Sequence, residues 1–344
     1  MANNRLMLQS KCNLFCCLAV LALLVALGGC GWLDEDKYVA YSVGEPGSRD
    51  IAVARAEGTF REVQIDHQSD DYAPVWSPSH DRIAYLSDRD GNAEVYISSA
   101  DGSSAMRITN TGVDESQITW APEGDRIAFM SPDSDGRPRV FWIWLKDLFL
   151  NQLVFESHSE IDPAWSPQGK WIAFAALNEQ GISEGIFLRN PDGVNRLQLS
   201  LDPDRNPVWS PDGKKLAFVS TRDGDQEVYV LRVSEQGPEG QAIRVTRDPA
   251  SDFAPDWSPD GKRIAFISER AGSRDIFTVS DNGEDLQALT RSPEIEEEEI
   301  VWGPDGRIIF LSKPGGKAKL FVTDLDGNQN QVSAGDVSAT QPDW

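Results

Sequence analysis

One short phrase returns along this chain and constrains its fold more than any other feature. Pro74-Val75-Trp76-Ser77-Pro78 comes back as Pro163-Ala164-Trp165-Ser166-Pro167. It returns again as Pro207-Val208-Trp209-Ser210-Pro211-Asp212-Gly213 and Pro255-Asp256-Trp257-Ser258-Pro259-Asp260-Gly261. Looser copies are Thr119-Trp120-Ala121-Pro122-Glu123-Gly124 and Val301-Trp302-Gly303-Pro304-Asp305-Gly306, and the chain closes on Gln341-Pro342-Asp343-Trp344. The tryptophans at 76, 120, 165, 209, 257, 302 and 344 are spaced by 44, 45, 44, 48, 45 and 42 residues. A fixed period of this length means that one supersecondary unit is stacked on copies of itself.

Each unit has the same internal order. A short strand runs into the Trp, and a Pro-Asp-Gly type of turn follows. Then come apolar runs such as Ile83-Ala84-Tyr85-Leu86 and Leu216-Ala217-Phe218-Val219, followed by Val95-Tyr96-Ile97 and Val228-Tyr229-Val230. A fourth run closes the unit, as in Arg107-Ile108-Thr109, Arg244-Val245-Thr246 and Ala288-Leu289-Thr290. These runs are β-branched, aromatic and too short for helices. Even Phe141 to Leu150 reads as a long third strand and turn. The expectation is an all-β, seven-bladed β-propeller of four-stranded antiparallel blades. Residues 38–65 hold strands two to four of a blade, and the C-terminus holds only a first strand. Pairing the two ends completes the seventh blade and removes two exposed edges.

The first thirty residues are of another kind. Arg5 and Lys11 precede an apolar run from Leu14 to Leu27, which ends in Leu27-Gly28-Gly29-Cys30. This reads as a signal peptide over 1–29, cleaved before a Cys that takes lipid. Residues 30–37 become a lipidated tether, and 38–344 the propeller. All four cysteines (12, 16, 17 and 30) lie in this region, so the propeller carries no thiol, which suits an oxidising compartment. The formal net charge of −23 argues against a nucleic-acid partner. It favours a basic partner segment or a bound cation, or serves solubility alone.

The pattern Pro-x-Trp-Ser-Pro-Asp-Gly-x-x-Ile-Ala-Phe-x-Ser resembles the repeat of TolB-like propellers, over nearly all of residues 38–344. The resemblance implies an exported bacterial propeller used for protein contacts. The chain differs from periplasmic TolB in having no separate domain ahead of the propeller and in carrying a lipidation sequence.

Catalytic signatures are sparse. A serine hydrolase requires Gly-x-Ser-x-Gly on a strand-to-helix turn; the one such string, Gly181-Ile182-Ser183-Glu184-Gly185, falls between two apolar strand runs with no helix to follow it. The histidines are His67, His80 and His158, without metal-ligand spacing. His80 reads as a turn position held by Asp or Gln in other units. Asp-rich turns at 88–92, 133–136 and 324–328 lack the later Glu of a calcium loop and read as hairpin turns. The polar pattern with most information lies five residues before each Trp: Asp71, Glu115, Glu160, Asp204, Asp252 and Glu297, with Ala339 in the seventh unit. The loop entering an innermost strand lies beside the central channel. Two readings follow for these six carboxylates. They form a channel-mouth ring that holds a cation or a basic segment, or they accept backbone bonds and the charges of Arg89, Arg222 and Arg270.

The resulting expectation is a non-enzymatic scaffold on the outer side of a membrane, periplasmic or extracellular, that docks an envelope protein. No cofactor is expected beyond a cation such as Ca²⁺ in the channel. The alternative is a sugar- or peptide-binding propeller with hydrolase or lyase chemistry in the channel. Trp142 and Trp144 are read as an exposed docking patch.

Overall fold

The computed structural model describes residues 38–344, apart from 59, 154–158, 192–194, 292–294 and 334–337. The signal peptide, Cys30, the tether and His158 lie outside the described residues. Seven four-stranded sheets are present, each antiparallel throughout, with no α-helix among the described residues. We number the blades by their tryptophans. Blade 1 spans 71–107, blade 2 116–152, blade 3 159–198, blade 4 204–244, blade 5 252–288 and blade 6 297–331. Blade 7 joins both chain ends. Its inner strand Ala339–Asp343 pairs with Tyr38–Val43, and Asp50–Arg55 and Phe60–Ile65 follow outward. The closure expected from the sequence is therefore present, and each inner strand packs on the next around the ring.

The apolar runs fold as strands because both their faces are covered by neighbouring blades. The second strand of blades 1 to 6 centres on an aromatic with essentially no exposure: Tyr85, Phe129, Phe174, Phe218, Phe266 and Phe310. Each stacks on the aromatic opposite it on the third strand, with centroids 5.7 to 6.1 Å apart. Burying one such ring contributes about 1.5–3 kcal/mol, and the pairing adds about 0.5–1.5 kcal/mol.

The turn after each Trp is built by its own residues. Ser210 Oγ donates to Asp212 at 2.7 Å and accepts the Lys215 N–H at 3.0 Å; Ser258 and Asp260 repeat the first bond. Gly213 and Gly261 sit at φ +63° and +66°, which explains the glycine. His80 occupies this glycine position in blade 1, at φ +50°, and not the Asp or Gln position read from the sequence.

The tryptophans join adjacent blades. Trp120 Nε1–H donates to the Val75 carbonyl at 3.0 Å, Trp209 to Ala164 at 3.2 Å and Trp257 to Val208 at 3.1 Å. A cation from the preceding blade lies over several of the indoles: Arg82 over Trp120, Arg126 over Trp165 and Arg307 over Trp344, at 5.0 to 5.3 Å.

Candidate functional site

The carboxylate before each Trp stands at the start of an inner strand, where the chain enters from the neighbouring blade. That entry is fixed by backbone bonds across the seam. The N–H groups of Asp71, Glu115, Asp252 and Glu297 donate to the carbonyls of Arg49, Ala93, Gln226 and Arg274 at 2.7 to 3.1 Å. The six side chains do not face open solvent, since Asp71, Glu115, Glu160, Asp204, Asp252 and Glu297 are all 2% exposed or less.

Three of them meet the turn arginines. Arg89 Nη2 donates to both oxygens of Asp71 at 3.0 Å, and Arg222 reaches Asp204 at 2.7 and 2.9 Å. Arg270 reaches Asp252 at 2.7 Å. Each guanidinium is steadied by a serine, Ser87, Ser220 or Ser268, which accepts from its Nε at 2.7 to 2.9 Å. Each also lies over the third-strand ring, Tyr96, Tyr229 or Phe277, at 4.5 to 4.7 Å.

Glu115 meets no arginine among the described residues. It accepts from Thr109 Oγ1 at 2.9 Å and from Thr111, and it faces Glu94 of the preceding blade. Burial, with Glu94's charge, pushes the Glu115 carboxyl up to about 7. Burial also works against the Glu94 charge, but bonds from Thr109, Asn92 and Arg107 outweigh it and hold Glu94 at about 2. Burial pushes Glu160 to about 7 as well, although its Oε2 accepts the Val140 N–H at 3.0 Å.

The channel itself is lined by other residues, which the repeat did not single out. Three positions before each Trp stand Ala73, Gln117, Asp162, Asn206, Ala254, Glu299 and Gln341, all at positive φ between +45° and +57°. Each marks a bulge in the pairing of the inner strand. Where the side chain is an acceptor, it often takes the N–H of the same position in the next blade. Gln117 accepts from Asp162 at 2.9 Å, Asp162 from Asn206 at 3.1 Å, Glu299 from Gln341 at 2.6 Å and Gln341 from Ala73 at 3.0 Å. A space of about 400 Å³ lies between these strands, and Asp343, Glu299 and Asn206 line it.

Two further carboxylates stand one residue before a Trp. Asp256 accepts the Trp302 N–H at 2.6 Å, and Asp343 accepts the Trp76 N–H at 2.7 Å. Burial pushes Asp256 up to about 6; burial, with the charge of Asp256, pushes Asp343 up to about 7. The other units carry no acid at this position, so their sequence signal was a departure from the repeat.

The remaining candidates resolve simply. The Asp133 and Asp324 carboxylates accept N–H groups of their own turns at 2.9 to 3.0 Å. Asp88 accepts the Asp70 N–H at 2.7 Å. His67 and its neighbour Ser69 are joined at 3.3 Å. Trp142 is buried, contrary to the expected patch. The exposed apolar surface of blade 2 is instead Trp144, Leu148, Phe149 and Leu150, with Phe149 64% exposed.

The profile of the TolB beta propeller domain matches residues 29–202 and 203–344. No curated protein matches the sequence significantly. Among solved structures, TolB from Acinetobacter baumannii aligns at a TM-score of 0.60 and 18% identity, over 95% of this chain and 71% of that one. An oligogalacturonate lyase from Vibrio parahaemolyticus aligns at 0.64 and 10% identity, over 86% and 84%. A puromycin-hydrolyzing peptidase from Mycobacterium tuberculosis aligns at 0.62 and 21%, over 77% of this chain and 46% of that one. At such identities the likeness concerns the fold. With the profile covering the whole of its described repeat, the chain belongs to the TolB β-propeller family.

Proposed function

We propose that this chain is a non-enzymatic protein-interaction scaffold, exported and held at a membrane of the cell envelope by lipid on Cys30. The observation that carries this reading is the fate of the repeat's carboxylates. They are buried, and their contacts run to other parts of the propeller: arginines, threonines and backbone N–H groups. In this reading Asp71, Asp204 and Asp252 brace their own blades, Glu115 and Glu160 join theirs to the preceding blade, and the surface does the binding. Membership of the TolB β-propeller family supports it. The apolar run ending in Leu27-Gly28-Gly29-Cys30 supports export and anchoring. The charge of −23 favours a partner that offers a basic segment.

A second reading rests on Asp256, Glu299 and Asp343, which break the repeat on one side of the channel. It assigns the channel to a sugar, a peptide or a cation, and lyase and peptidase structures share this fold. The test is crosslinking of the anchored protein in its own cells, read by mass spectrometry. The scaffold reading expects one envelope protein joined to the propeller loops, and loss of membrane attachment in Cys30→Ser. Turnover of an oligosaccharide or peptide by the purified chain, lost in Asp343→Asn, would replace it with the second reading.

A further inference from the structure

The repeat allows one blade to be compared with another inside the same molecule. In six blades the outer strand sets one residue opposite the third-strand aromatic. The pairs are Tyr96–Arg107, Phe141–Gln152, Phe187–Gln198, Tyr229–Arg244, Phe277–Ala288 and Phe321–Gln331. Five of these partners are long and polar. In blade 5 the partner is alanine.

In blades 1 and 4 the arginine belongs to a group of four. Arg107 reaches Glu94 at 2.7 Å and Asp90 at 3.1 Å, and Asp90 accepts the Tyr96 hydroxyl. Arg244, Glu227, Asp223 and Tyr229 repeat the arrangement. Blade 5 has Ala271 at the Asp90 position, Phe277 at the Tyr96 position, Ala288 at the Arg107 position and the shorter Asp275 at the Glu94 position. A guanidinium, a phenolic hydroxyl and one carboxylate are thus missing together. A cavity of about 450 Å³ remains, bounded by Ala271, Ser273, Asp275, Phe277, Ala288 and Arg270.

We propose that this cavity receives an arginine side chain of a partner protein, which takes the place that Arg107 and Arg244 fill from within. This rests on the scaffold reading above. The recognition chemistry is already displayed in the other blades. There the arginine Nε donates to the carbonyl of Thr109 or Thr246 at 2.7 to 2.8 Å, and Thr290 holds the same position in blade 5. Asp275, 1% exposed and accepting from Ser273 and Thr290, supplies the carboxylate. Phe277 supplies a flat apolar wall. Arg270 does not close the site to a cation, because Asp252 pairs with it at 2.7 Å. Blade 1 likewise holds Arg89 and Arg107 around one ring. Arg291, exposed at the rim, makes a small anion the competing occupant.

The test uses the full chain with ¹³C-methyl alanine and the capped tripeptide Ac-Gly-Arg-Gly-NH₂. The Ala271 and Ala288 methyl signals are expected to shift saturably with the arginine peptide. They are expected to stay in place with its citrulline analogue and with N-acetylglutamate. Ala288→Gln, which installs the residue of blades 2, 3 and 6, is expected to weaken the peptide's effect on Ala271 at least tenfold without lowering Tm. Ala288→Arg is expected to abolish it and serves if the glutamine variant is poorly folded. Equal response to citrulline, a response to the anion alone, or unchanged binding in both variants overturns the proposal. Tighter binding of free L-arginine than of the tripeptide also overturns it, in favour of a metabolite site. Failure of the peptide leaves the scaffold reading to its crosslinking test, and failure of that test leaves the peptide result standing.

Discussion

The carboxylate of Asp343, in the last strand of the chain, accepts the backbone N–H of Trp76 at 2.7 Å. The bond joins the two ends of the propeller's circuit, because Asp343 belongs to the closing blade and Trp76 to the first. Asp256 makes the same bond to Trp302 between blades 5 and 6. Acceptance of a buried N–H, and not the negative charge, is what the fold requires of these two side chains.

That distinction gives a first prediction. Asp343→Ala leaves the Trp76 N–H unpartnered and is expected to cost about 1–3 kcal/mol. Asp343→Asn keeps an acceptor oxygen and is expected to be more stable than the alanine variant. Chemical denaturation of both variants at pH 8 measures the difference.

The same groups set a pH dependence. Burial raises the Asp256, Asp343, Glu115 and Glu160 carboxyls to between about 6 and about 7 in the folded chain. The native state then holds more protons than the unfolded state between the ordinary carboxylate range and pH 7. Stability from these groups is therefore complete below about pH 4 and is lost as pH rises to about 7. Glu94, held at about 2, works in the opposite direction and loses its contribution only as pH falls below about 4.5. Unfolding midpoints measured from pH 4 to 8 are expected to fall, and the slope is expected to flatten in Asp343→Asn. A flat wild-type profile would sink the assignment.

The buried pair of Arg222 and Asp204 offers a third prediction. Asp204 is fully buried, so Arg222→Met strands a charge and is expected to cost about 3–5 kcal/mol. Adding Asp204→Leu removes the stranded carboxylate and is expected to restore most of the loss. A double-mutant cycle read by urea denaturation gives the coupling.

The tryptophans are expected to respond unequally. Trp120 Nε1–H has an acceptor in Val75, whereas Trp165 Nε1 has none among the described residues. Trp120→Phe should therefore cost about 1 kcal/mol more than Trp165→Phe. Thermal unfolding of the two variants under one set of conditions is the measurement.

The surface of blade 2 should respond differently again. Phe149 is largely exposed on an outer strand, so Phe149→Ser is expected to change stability by less than about 0.5 kcal/mol. If the patch drives self-association, sedimentation velocity will show a lower average mass for the variant.

The architecture was legible in the repeat. Trp-Ser-Pro-Asp-Gly recurs because its turn is closed by its own serine, aspartate and glycine, so local residues are sufficient to specify it. The pairing of the chain ends was legible too, because an incomplete blade at one end matched a lone strand at the other. The pairing of Arg89, Arg222 and Arg270 with Asp71, Asp204 and Asp252 could be read from their common offset.

Which partner each buried carboxylate meets became legible only once the strands were placed in three dimensions. The bulge three residues before each Trp was equally hidden, because it is held by Ala, Gln, Asp, Asn or Glu alike. All seven units share this positive φ whatever residue stands there, so no residue type announces it. The blade 5 cavity was hidden for a related reason. Ala271, Phe277 and Ala288 are unremarkable one at a time in a strand-rich chain, and they define a void only when one turn and two strands bring them together around Asp275.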